Sequence, residues 1–117
     1  MTGVPQFTPT VSDSDVDRVV ARDFHPRSHA AILEKIRSIT VREKPRVILA
    51  CLKNARGDVA KLNNELDNSE GSWREIISEA EYPNYSQMHS VLRSSATDQE
   101  AQIIEKDRLQ YLAWLNR

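Results

Sequence analysis

Six consecutive residues, Val47-Ile-Leu-Ala-Cys-Leu52, form the most apolar run of the chain and demand a core around them. The residues that flank the run punctuate it as a helix. Pro45 suits a first helical position, Gly57 supplies a left-handed stop, and Asp58 can cap whatever follows. At about 100° per residue, Val47, Ile48, Cys51, Leu52 and Ala55 fall within an arc of about 140°. Arg46 and Lys53 point the opposite way. Leu49 lies outside the arc, towards Arg56, where a second layer or a partner would meet it. The stretch from Pro45 to Pro83 reads as a three-helix core to which both ends of the chain attach.

Two more helices follow within that stretch. Val59, Leu62 and Leu66 make one stripe, and Trp73, Ile76, Ile77 and Ala80 make the next. Asp67 to Gly71 separates them as a loop, Ser72 and Glu75 have capping-box spacing, and Pro83 is the stop. Glu79 and Glu81 are two apart, hence on opposite sides of such a helix, and are expected to be solvated.

Before the core, Ser12 or Ser14 opens a helix carrying Val16, Val19, Val20 and Phe24, which His25-Pro26 ends. A second helix runs to Thr40 on Ile32, Ile36 and Ile39, with Leu33 beside them. Residues 1–12 hold two prolines and no periodicity and are expected to form a flexible arm, leaving 13–117 as a single helical domain. After the core, Tyr85, His89, Met88 and Leu92 share a face. Thr97 and Glu100 then form a second capping box for a long final helix. Its apolar residues, Ala101, Ile104, Tyr111, Leu112 and Leu115 with Ile103 and Trp114 at the sides, spread over about 180° with Asp107 and Arg108 inside the arc. An arc that wide suggests a second packing partner. Ile103, Asp107 and Trp114 are therefore the candidate partner surface, with a homodimer as one form of it. The fold class expected is all-α, a compact bundle of five to seven short helices.

Cys51 is the single cysteine of 117 residues, so neither an internal disulfide nor a CxxC metal site is available. His25, His29 and His89 lack ligand spacing. No phosphate loop, nucleophile elbow or HExxH pattern occurs, so no catalytic residue, metal or cofactor is expected. No membrane span or signal pattern is read either, which leaves the cytoplasm as the expected location.

Charge is distributed unevenly. Residues 25–56 carry eight basic and two acidic side chains, while 57–117 carry six basic and eleven acidic ones. Arg37, Arg42, Lys44, Arg46, Lys53 and Arg56 are thus a candidate patch for nucleic acid or another anion. The rival expectation is that they pair with the acidic half of the chain. A helix-turn-helix centred on Gly57 would offer Lys61, Asn63, Asn64 and Glu65 for base reading, a poor set without arginine.

Three segments resemble a set of short uncharacterised bacterial proteins: Leu49-Ala-Cys-Leu-Lys-Asn-Ala-Arg-Gly-Asp58, Trp73-Arg-Glu-Ile-Ile-Ser-Glu-Ala-Glu-Tyr-Pro83 and Asp107-Arg-Leu-Gln-Tyr-Leu-Ala-Trp-Leu115. The shared pattern is L-K-x-A-x-G-D, A-E-Y-P and Q-Y-x-x-W-L over about residues 45–115. Asn63-Asn64 and Ser69-Glu-Gly71 depart from it. The group has no established activity, so the resemblance implies no site residue. The function expected from the residues is that of a non-catalytic interaction or structural protein.

Overall fold

The computed structural model describes residues 8–88 and 97–117. Among them the chain forms seven helices and no strand: α1 (Asp13–Asp23), α2 (Pro26–Ser38), α3 (Lys44–Ala55), α4 (Val59–Asn68), α5 (Trp73–Glu81), α6 (Pro83–Met88) and α7 (Thr97–Leu115). The all-α bundle expected from periodicity is the fold observed. None of these helices is long and apolar enough to cross a membrane.

α3 is the hub, packed against α1, α4 and α5. Val47 through Leu52 are all fully buried, Leu49 and Ala50 included, so neighbours cover this helix well beyond the 140° arc. Burial also pushes the Cys51 thiol up to about 12, which keeps it neutral and makes it a small hydrophobe. Asn54 supplies the polar tie. Its amide nitrogen donates to Glu65 Oε1 and to the Ile76 carbonyl, both at 3.1 Å, joining α3 to α4 and α5.

The α3–α4 turn is tight because two successive residues are left-handed, Arg56 at φ 53° and Gly57 at φ 81°. A Cβ on Gly57 would make only an ordinary contact, 3.4 Å from the Asp23 carbonyl oxygen, so it is the left-handed backbone that calls for glycine here. Asp58 caps α4 as expected, its Oδ1 accepting from the Lys61 amide at 3.0 Å. His25 caps α2 through Nδ1, and the His29 ring bonds the Phe24 carbonyl oxygen at 2.6 Å. Both histidines have structural work.

Four local expectations need correction. Ser72 and Glu75 do not form a capping box, because the Ser72 amide already donates to the Asn68 carbonyl at 2.8 Å. Val59 is 38% exposed at the start of α4, and Ala101 is exposed on α7 rather than part of its buried stripe. Glu81 is fully buried, not solvated. Separately from these four, Pro9 is buried and Val11 packs against the core. Residues 1–7, His89, Leu92 and the side chains of Met88, Thr97 and Glu100 lie outside the description.

Candidate functional site

The α5–α6 corner is built by two buried acids, and between them they open a cleft. Arg46, on the first turn of α3, reaches across to Glu81 at the end of α5. Its Nε donates to Oε2 at 2.9 Å and its Nη2 to Oε1 at 2.8 Å, a two-pronged fork. Glu43 approaches the same guanidinium at 3.4 Å. The hydrogen bonds to Glu81 hold the Arg46 guanidinium far above its ordinary pKa, while burial pushes the Glu81 carboxyl above the usual carboxylate range against the pull of Arg46.

The second acid is Asp107. Fully buried on α7, it accepts hydrogen bonds from the Asn84 amide at 3.1 Å, the Asn84 side-chain nitrogen at 2.7 Å and the Tyr85 amide at 2.9 Å. A six-residue helix has few internal bonds to hold it, and here a carboxylate from another helix satisfies the amide donors of its first turn. Gln110 adds a bond to the Ala80 carbonyl at 3.2 Å. α7 thereby fixes the chain as it turns from α5 into α6.

The cleft so formed holds about 920 Å³ between the start of α3, α5 and α6. Trp73, Ile77, Tyr82, Pro83 and Tyr85 give it an apolar, aromatic wall, and Glu43, Glu75 and Glu79 stand at its rim. Arg42 and Arg74 lie over the Trp73 ring, 5.5 and 5.0 Å from its centroid, and hold the indole in place. Burial beside Glu81 pushes the Tyr82 phenol up to about 12, so it stays protonated near neutrality. The buried carboxylate is committed to Arg46, and no group of three metal-binding side chains occurs among the described residues. Such a cleft, with an apolar wall and charged groups at its rim, has the lining of a binding site.

A second, more polar cleft of about 550 Å³ lies at the far end of α3, lined by Arg22, Asp23, Lys53, Arg56, Gly57, Gln110, Trp114 and Arg117. Arg22 organises it. Its Nε and Nη2 donate to the Asp23 carboxylate at 2.7 and 2.9 Å, its Nη1 donates to the Trp114 carbonyl at 2.7 Å, and its guanidinium lies 5.2 Å from the Trp114 ring centroid.

The six cations of the expected basic patch are divided. Arg46 lines the first cleft within its ion pair, and Arg42 lies on Trp73. Lys53 and Arg56 line the second cleft, Arg37 is exposed on α2, and Lys44 is half-buried. Of the expected partner surface, Ile103 and Trp114 are half-buried. Asp107 belongs to the interior, because its carboxylate is the cap of α6. No protein-family model, no curated protein and no solved structure matches the chain. The functional reading rests on the residues themselves.

Proposed function

We propose that the chain is a non-catalytic interaction protein whose cleft between α3, α5 and α6 takes a basic, partly apolar segment of a partner protein. The observation that carries this reading is the aromatic wall of Trp73, Tyr82 and Tyr85 set beneath the carboxylates of Glu43, Glu75 and Glu79. Glu75 and Glu79 are one helical turn apart, exposed, and without an ion-pair partner among the described residues. Arg74 also lines the cleft, but the carboxylates outnumber it over an apolar floor, which suits an aliphatic or aromatic side chain flanked by lysine or arginine.

Selection of a displayed random-peptide library against the protein tests this. Enrichment of sequences with lysine or arginine beside a large apolar residue is expected, together with loss of their binding to a Glu75→Lys/Glu79→Lys variant. Enrichment that survives that charge reversal would count against the cleft.

A second reading, self-association through the C-terminal helix, draws on Leu109. This residue is 54% exposed, beside Ala101 and Glu105 on the outer face of α7. Sedimentation of the wild type and of Leu109→Lys is expected to show a dimer only for the former, and a wild-type monomer at every concentration removes the reading.

A further inference from the structure

We propose that the cleft where the C-terminal ends of α1, α3 and α7 converge is an anion site that takes a phosphoryl group. It is distinct from the cleft beside Trp73 and independent of what that cleft binds. Four cations line it, Arg22, Lys53, Arg56 and Arg117, against the single carboxylate of Asp23.

Part of that charge has a structural use. Arg22 neutralises Asp23 and donates to the last carbonyls of α7, and Arg117 approaches Asp23 at 3.6 Å. Three helix C-termini also bring partial negative charge, about half an elementary charge each. Set against the formal charge of the side chains, these leave an excess of about one and a half positive charges. The excess resides on Lys53 and Arg56, neither of which has an ion-pair partner among the described residues.

Lys53 is half-buried on the last turns of α3, where desolvation and then the charge of Arg56 push its ammonium below its ordinary pKa against the smaller pull of Asp107 and Glu79. A counter-anion would relieve both effects. Arg56 is exposed at the C-terminal end of α3, where left-handed backbone at φ 53° turns it beside the cleft. A compact dianion matches this charge, and arginine presents a planar fork to its oxygens.

The volume of about 550 Å³ exceeds what one phosphate fills, leaving room beside Trp114 for the body of an ester. Arg37, Arg42 and Arg46 lie elsewhere, so the basic segment as a whole does not extend this cleft as a track for a polynucleotide.

Calorimetric titration at fixed ionic strength tests the site with inorganic phosphate, pyrophosphate, adenosine monophosphate and a single-stranded oligonucleotide as probes. Saturable binding of one or more of the small phosphates is expected, weakened about tenfold or more by Lys53→Met and by Arg56→Gly and unchanged by Arg37→Gln. Binding of the monophosphate identifies an ester as the preferred source, and binding of the inorganic anions alone identifies free phosphate. Glycine suits the left-handed backbone at position 56, so Arg56→Gly removes the charge while keeping the fold, which a melting curve verifies. The proposal is overturned if no small phosphate binds at millimolar concentration. It is equally overturned if Arg37→Gln weakens binding as much as the other two variants, or if the oligonucleotide alone binds.

Discussion

Replacing Arg46 with methionine is expected to destabilise the fold by about 3–5 kcal/mol at neutral pH, because Glu81 is then a buried carboxylate without a counter-charge. For a domain of this size the melting temperature should fall on the order of 10–20 °C. The loss should depend on pH, with a sign fixed by burial. Desolvation raises the Glu81 carboxyl above its ordinary 4.5, and without Arg46 nothing opposes the rise. The folded variant then favours the protonated form more than the unfolded chain does. Its deficit should be smallest below about pH 4.5 and grow as pH rises through the folded pKa. A double replacement, Arg46→Met with Glu81→Met, is expected to recover most of the loss, since removing both charges leaves no orphan. Chemical unfolding followed by circular dichroism at several pH values checks all three statements. A single variant within about half a kcal/mol of wild type would mean that the pair contributes little.

Asp107→Ala is the second large effect expected. The carboxylate accepts three hydrogen bonds at the start of α6, and its loss leaves the Asn84 and Tyr85 amides without that acceptor. The cost should be about 2–4 kcal/mol, above an ordinary surface cap because the acceptor is charged and buried. Asp107→Asn, which keeps one acceptor oxygen, should fall between the two. Amide hydrogen exchange locates the effect: residues 84 and 85 are expected to lose protection in Asp107→Ala, while the amides of the buried helix α3 are expected to keep theirs. Because α6 contributes Pro83 and Tyr85 to the first cleft, the same variant should also weaken whatever binds there. Uniform loss of protection across the molecule would point instead to general destabilisation.

These two acids also mark where sequence reasoning reached and where it stopped. Helix positions follow from periodicity and punctuation, since apolar spacing, Pro45, Gly57 and Asp58 act locally. Asp107 gave a signal, an acid inside an apolar arc, but the arc says only that the position faces something. That the something is the first turn of α6 depends on how α7 crosses it.

Glu81 gave no signal. Its partner is 35 residues away, and a carboxylate at the end of a helix looks the same in sequence whether it meets water or a guanidinium. The basic segment divides for a related reason. Arg46 and Lys53 lie on similar sides of α3 but two turns apart, roughly 10 Å along the axis. They line different clefts, so six neighbouring cations never become one surface. The Ser72 box failed because a backbone carbonyl reached the Ser72 amide first. The second cleft was half visible. Lys53 and Arg56 were in the expected patch, whereas Arg22 and Arg117 come from distant ends of the chain and join them only in the folded molecule.

The chain contains two tryptophans, one on each cleft, which makes the central claim directly measurable. Titrating a selected basic, apolar peptide into labelled protein and following the two indole N–H resonances by NMR separates the sites. Binding between α3, α5 and α6 should move the Trp73 resonance saturably, with the Tyr85 amide, and leave Trp114 in place. Movement of Trp114 or of the amides around Leu109, with Trp73 unmoved, would contradict the assignment of the partner cleft.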